Sequence, residues 1–456
     1  MRIKPIIFGI TTVSALIASI TASNADSKFY FRKMPVLLEL KNSSNGDKIE
    51  IVFNEFTSNA IYLNKEMSPI HLSSLVSIVG NKPVSANEID FTVTGLPEGV
   101  TLNNGIISGT PTQKSNATVT ITASHSDAKN QVSTSFDLTV YNEQIDCYDS
   151  KNIGKVGTGP ECRDMLIVDR NRLWNAAHNS GAIELDGVEY TLSQSEHKMF
   201  TGQVTDMSWL FQDTDFNGDI SYWDTSNVTN MAGMFYNANV FNQPIGNWDV
   251  SSVTDISSMF FQAESFNQTL NNWNTANVQN MTSVFFYAKK FNQPIGNWNT
   301  SNVTSMASMF GGGYAFNQPI GNWNTSKVTN MKGMFLGAYE FNQTINNWDT
   351  SNVKDMSDLF YAATSFNKPL SDWNTSKVET MYSMFYGASS FNQPIGDWNV
   401  SNVQTMTTMF YDATAFNSDL SCWNVQHISA APSSFDGMTP SWEAERKPRW
   451  GQTPSC

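Results

Sequence analysis

The residues able to do acid, base or metal chemistry are few and badly placed for it. The five histidines, His71, His125, His178, His197 and His427, include no two at the short spacing that brings metal ligands together. No serine sits in a nucleophile-elbow motif. Carboxylates are more numerous, and a pair of them flanking a glycosidic bond could act as general acid and base. The recurring ones, such as Asp255, Asp355 and Asp358, stand instead at helix starts or at outward places that vary between repeats. The expectation is a non-enzymatic protein with no metal and no cofactor. The Asn-x-Thr words at Asn227 and Asn302 would accept glycans in a eukaryotic secretory pathway; we read them as helix-entry chemistry copied by duplication.

What positions the remaining residues is a repeat. FNQPIGNW occurs at 241–248, 291–298 and 316–323, and FNQPIGDW at 391–398. Phe-Asn opens a unit every 25 residues from 216 to 416 without an insertion, and an indole holds the eighth place of all nine units, from Trp223 to Trp423. A second Phe holds the twentieth place, from Phe235 to Phe435, and VTDMSWLF at 204–211 is a partial lead-in unit. Invariant spacing of this kind is the mark of a stacked solenoid, in which no single unit buries its own apolar face.

Each unit divides in two. In 316–340 the first half sets Phe316, Ile320 and Trp323 among Pro, Gly and Asn, which predicts a short strand from Ile to Trp, with Pro at place four just ahead of it. The second half spaces Val328, Met331, Phe335 and Ala338 by three, four and three, which predicts one to three helical turns. Asp and Asn interchange at place nine (Asp224, Asp249, Asn274, Asn299), so the site wants a capping oxygen and leaves the charge optional. The unvarying Asn217, Asn242, Asn267, Asn292, Asn317, Asn342, Asn367, Asn392 and Asn417 read as an internal ladder, each amide satisfying backbone groups in the next coil. Place twenty-one is aromatic in Tyr236, Phe261, Phe286, Tyr361, Tyr386 and Tyr411 and is interrupted by Gly311 and Leu336. That makes it the candidate ligand-binding stripe, set against partial burial beneath the helices. The strand face offers mainly Gly, Asn and Gln, such as Gln243 and Asn247, suited to shallow hydrogen bonding.

A solenoid needs closed ends. Residues 146–215 are read as the N-terminal cap with its partial repeat, 216–440 as nine repeats and 441–456 as the C-terminal cap, where Trp442 and Trp450 can cover the last coil. Nine coils at ~4.8 Å make a stack of roughly 43 Å, whereas a disulfide needs Cα atoms within about 7 Å. The four cysteines therefore pair within the caps, Cys147 with Cys162 and Cys422 with Cys456.

Residues 1–25 carry Arg2 and Lys4, a short apolar run and the small-residue site Ser23-Asn24-Ala25, the grammar of a secretory signal peptide cleaved near Ala25. No later run reaches transmembrane length. Cleavage would leave 25 basic residues against 41 acidic ones, a net charge of −16, which argues against nucleic acid and anionic lipid as partners. Residues 26–145 alternate apolar and polar at period two between Gly, Pro and Asn-Gly signals, an all-β sandwich.

The words FNQPIGNW…TSNVTNM…MF resemble the BspA-like leucine-rich-repeat surface proteins of bacteria over roughly 204–440, with Ile256 and Val284 departing where Met is usual. GLPEGVTLNNGIISGTPT at 95–112 resembles the immunoglobulin-like, cadherin-related domains of bacterial surface proteins, the match running best over 60–142. Some of those domains bind calcium through acidic clusters, and none stands near Asp127 or Asp137. The resemblance implies a multidomain chain: an immunoglobulin-like sandwich followed by an α/β leucine-rich-repeat-like solenoid with terminal caps. It implies a secreted or surface-attached, adhesin-like protein in contact with extracellular protein or glycan on a host or neighbouring cell. The alternatives are a self-associating envelope or matrix protein and, third, a glycoside-active solenoid enzyme.

Overall fold

Period-two alternation makes strands of the N-terminal region wherever turn residues bound it. In the computed structural model, which describes residues 49–54, 61–80, 83–141, 145–193 and 195–454, nine strands run in order. They are β1 (Glu50–Phe53), β2 (Ile61–Tyr62), β3 (Ile70–His71), β4 (Val76–Val79), β5 (Asp90–Thr94), β6 (Val100–Asn103), β7 (Ile106–Gly109), β8 (Asn116–Ser124) and β9 (Val132–Tyr141). The order β2-β9-β8-β5 forms one sheet and β3-β7-β6 another, with β1 and β4 pairing separately. Inward residues of both sheets, Val119, Ile121, Leu138 and Val140 against Val100 and Ile107, share one buried core, as an immunoglobulin-like sandwich requires. The signal peptide read over 1–25, its cleavage near Ala25, the stretch 26–48, the boundary near Glu143 and Cys456 lie outside the described residues.

Between sandwich and repeats stand β10 (Leu166–Ile167), α1 (Arg170–His178), the hairpin β11 (Ala182–Leu185) and β12 (Val188–Thr191), and β13 (Met199–Phe200), parallel to β10. Asp169 caps α1 by accepting the Arg172 N–H at 2.9 Å. Cys147 and Cys162 are joined by a disulfide with Cα atoms 5.7 Å apart. Two tyrosines tie the sandwich to this region: Tyr62 Oη donates to the Thr158 carbonyl at 3.1 Å and Tyr141 Oη to Asp164 Oδ1 at 2.8 Å. Burial, with the Asp164 carboxylate next in effect, holds the Tyr141 hydroxyl far above its ordinary pKa, so it stays a donor.

The repeats stack, but their backbone is neither the expected strand nor the expected helix. The segment 320–323 is a turn, closed by the Trp323 N–H on the Ile320 carbonyl at 3.2 Å. The inter-coil ladder runs instead through the half read as helical. Met331, Gly333, Phe335 and Gly337 donate to the carbonyls of Asp355, Ser357, Leu359 and Tyr361 in the next coil at 2.6–3.0 Å, while Met334, Leu336 and Ala338 close turns within their own coil at 3.1–3.2 Å. A single parallel bridge per coil, such as Asn330 to Asp355, marks the ladder.

The reason lies at places eighteen and twenty-two, which are left-handed in every coil from 216 to 391; in one coil they are Ser258 (φ 55°) and Gln262 (φ 55°), in another Gly333 (φ 59°) and Gly337 (φ 64°). A left-handed residue ends a helical turn. Here it aims its N–H along the stack, where the next coil accepts it. Residues three apart still face the same side, so the buried spacing imitates a helix. The α/β leucine-rich-repeat-like description is thereby corrected: among the described residues the coils hold turns and a one-residue parallel ladder, and the α-helix found among those residues is α1 in the cap. The acceptor at place nine serves a turn as well, Asn299 Oδ1 taking the Ser301 N–H at 3.1 Å.

The core is a spine of rings. Phe316, Ile320, Trp323, Val328, Met331 and Phe335 are all buried; Phe310 stacks on Phe316 at 3.9 Å, and Trp323 lies 6.3 Å from Trp348 at 3°. The buried threonine hydroxyls are satisfied between coils, that of Thr325 donating to the Asp349 carbonyl at 3.0 Å. At the far end Trp442 meets Phe416 edge-on at 4.8 Å and Trp450 meets Phe435 at 4.9 Å, closing the last ring layer. Cys422 is also disulfide-bonded.

Candidate binding surface

The side chains singled out for chemistry are dispersed. His125 lies 3.8 Å from Asp127, His178 stacks on Trp174, His197 lies 5.7 Å from Tyr190, and a ring nitrogen of His427 lies 2.8 Å from the Val403 carbonyl oxygen. Among the described residues no three His, Cys, Asp or Glu side chains gather where they could hold a metal. Asp255 and Asp355 each accept the N–H two residues on, at 2.7 and 2.8 Å, so their oxygens serve turns.

The nine ladder asparagines form one continuous column. Asn217 Oδ1 accepts the Asn242 N–H at 2.9 Å, and the same bond repeats coil by coil to Asn417, whose Oδ1 takes the Glu443 N–H at 3.1 Å. The column is half-buried in the middle coils and exposed at Asn217, Asn367 and Asn392, rather than internal. Glutamine at place three joins it: Gln318 Nε2 donates to Asn292 Oδ1 at 2.9 Å and to its carbonyl at 3.0 Å. These glutamines are committed to structure. The amides left facing a shallow groove on the same side are Asn271, Asn297, Asn322 and Asn347, beside Pro294 and Pro319. The glycines there are required, because a Cβ on Gly296 would lie 2.6 Å from the Pro319 carbonyl oxygen.

The place-twenty-one residues are half-buried and stack into two runs. Tyr236, Phe261 and Phe286 follow each other at 4.4 and 4.8 Å; Tyr361, Tyr386 and Tyr411 do so at 4.6 and 4.9 Å, with interplanar angles of 20° or less. Each ring covers its neighbour's face, so the solvent meets ring edges and tyrosine hydroxyls. Burial, then the neighbouring Tyr386, raises the Tyr361 pKa.

Past Gly311 and Leu336 the first run is continued as far as Tyr339 by residues that the repeat pattern did not single out. Phe286 meets Tyr287 edge-on at 4.8 Å, Tyr287 meets Tyr314 at 6.2 Å, and Tyr314 stacks on Tyr339 at 4.9 Å. Trp209, 40% exposed, extends the first run by packing 5.5 Å from Tyr236. The signal was glycine in the following coil. A Cβ on Gly311 would lie 2.7 Å from the Phe286 ring, one on Gly312 2.9 Å from Tyr287, and one on Gly233 2.3 Å from Trp209.

These coils match a known family. The model described as "Mycoplasma protein of unknown function, DUF285" matches residues 187–288, 267–354 and 340–444, which together are more than half of the chain. The chain belongs to the DUF285 family. A second family model, described as "Putative Ig domain", matches residues 56–141 of this DUF285 protein, the region of the sandwich. No curated protein is significantly similar to it. Among solved structures, one titled a "putative alpha-galactosidase" from Bacteroides fragilis is similar at 12% identity over 49% of this chain and 52% of that one, with a TM-score of 0.16. The DUF285 chain thus spans about half the length of that protein. No helix among its described residues is long and apolar enough to cross a membrane, and the Cys147–Cys162 disulfide fits an oxidising, extracellular setting.

Proposed function

We propose that this DUF285 protein is a secreted or surface-attached, non-enzymatic binding protein of adhesin type, as the BspA-like words of its repeats also imply. The observation that carries the reading is the pair of aromatic runs, Tyr236 to Phe286 and Tyr361 to Tyr411, half-exposed and in register along the stack. An edge-on rib with hydroxyls suits a protein partner, since ring edges and O–H donors meet backbone carbonyls and apolar side chains. One coil offers little affinity; several in register multiply it through effective concentration.

The test uses the full mature chain, with binding to extracellular matrix proteins and intact cells measured by interferometry and flow cytometry. Tyr361→Ala, Tyr386→Ala and Tyr411→Ala, combined, should weaken binding by at least tenfold, each single change less. Binding unaffected by the triple substitution sinks the reading. Size-exclusion chromatography of the protein alone addresses self-association: a concentration-dependent oligomer abolished by the same substitutions would replace the adhesin with a structural matrix protein.

A further inference from the structure

The rib spends its ring faces on internal stacking, and one indole does not. Trp174 on α1 is 41% exposed, and His178 stacks on one face of it, at 4.1 Å and 19°. With one face covered, that exposed area falls on the other face and the edges of the indole. Arg170 and Trp174, and Asn171 and Asn175, are each four residues apart, so they form adjacent ridges on one side of α1. Together these four line a cleft on the cap. Asn171 and Asn175 are exposed, and among the described residues their side-chain amides have no bond partner. The nearby cations are already neutralised: Arg170 Nε lies 3.6 Å from Asp206, Arg170 Nη2 donates to the Ser208 carbonyl at 2.8 Å, and Arg172 pairs with Asp169 at 3.1 Å.

We propose that this cleft binds a neutral saccharide, a pyranose ring lying on the open face of Trp174 with the Asn171 and Asn175 amides bonding its hydroxyls. The axial C–H groups of a pyranose present an apolar, weakly positive face that matches the negative face of an indole. Paired amides supply both donors and acceptors for vicinal hydroxyls. Neutralised arginines and a chain of net charge −14 disfavour an anionic ligand. The rib of tyrosine edges and this single platform are thus separate sites for different chemistry.

The experiment is affinity electrophoresis of the full chain in gels holding mannan, dextran, galactomannan or xylan, with heparin and alginate as anionic arms. At least one neutral polymer should retard the protein, and its own oligosaccharide should compete. Trp174→Ala should weaken retardation at least tenfold, Trp174→Phe should retain part of it, and Asn175→Ala should weaken it several-fold. Tyr361→Ala, Tyr386→Ala and Tyr411→Ala, combined, which test the rib, should leave polysaccharide retardation as it was, so failure here is separable from failure of the adhesin reading. Circular dichroism checks that each variant folds. No retardation by any neutral polymer, retardation by the anionic arms alone, or equal retardation of Trp174→Ala would overturn the proposal.

Discussion

The indole of Trp323 donates from Nε1 to the carbonyl oxygen of Ile295, one coil earlier, at 3.2 Å. The same bond links Trp348 to Ile320 and Trp298 to Leu270. Each tryptophan therefore buries a ring and also fastens two coils by a polar bond in a dry setting. Trp323→Phe should cost about 1 kcal/mol for the bond, because the Ile295 carbonyl keeps the Trp298 N–H at 3.1 Å. Trp323→Ala should cost about 3–5 kcal/mol through the cavity. Urea unfolding followed by circular dichroism reads both; equal costs would mean that ring volume contributes nothing.

Ser258 separates the turn backbone from a helical one by the sign of an effect. Its φ of 55° is left-handed, where glycine is free of the Cβ penalty of ~1–2 kcal/mol. Ser258→Gly should raise stability or leave it unchanged, and Ser258→Ala should lie about 1 kcal/mol below the glycine variant. A helix would rank them the other way by a similar amount. Thermal midpoints of the two variants decide it.

That sign reversal explains what the sequence could reveal. The 25-residue period, the ring spine and the stacked asparagines were legible because identical side chains meet themselves one coil on, so spacing alone locates them. The backbone was not, since Val328, Met331 and Phe335 face inward in a chain of turns much as they would in a helix. The clue was composition: place eighteen runs Gly233, Ser258, Ser283, Ser308, Gly333, Asp358, Ser383 and Thr408, small or polar residues where a helix would accept Leu or Lys. The rib was legible at place twenty-one. Its detour through Tyr287, Tyr314 and Tyr339 breaks the period and is marked only by glycine in the following coil at Gly312, and the single Trp174 in the unrepeated cap carries no pattern.

Asn317 and Gln318 are neighbours with unequal roles. Asn317 Oδ1 accepts the Asn342 N–H at 3.0 Å and the Gln343 amide at 2.8 Å, whereas Gln318 only donates to atoms of the coil before. Asn317→Ala strips a backbone N–H of its partner and should cost about 1–3 kcal/mol, toward the low end because the column is half-open to water. Gln318→Ala should cost well under that. Denaturant midpoints of the two variants check the ranking, and equal midpoints would remove the ladder as a source of stability.

Two aspartates should respond to pH in opposite directions. The Ser351 hydroxyl first, then its N–H at 3.0 Å, hold the Asp349 carboxyl below its usual range. A folded pKa below the unfolded one contributes stability that is present above the ordinary carboxylate value and lost as pH falls through the folded one. Asp349→Asn keeps the acceptor that Asn324 supplies one coil earlier, at 3.0 Å from the Ser326 N–H, so its urea midpoint should match wild type near pH 7 and fall less steeply below pH ~4. Burial raises Asp358 instead, against the opposing pull of Lys332. Its fold prefers the protonated form, and stability declines as pH rises through the folded pKa. Asp358→Asn, at a left-handed φ of 56° that asparagine tolerates well, should therefore raise the midpoint at pH 7 and leave it nearly unchanged at pH 3. A gain at pH 3 equal to that at pH 7 would place the effect in backbone preference rather than in the buried charge.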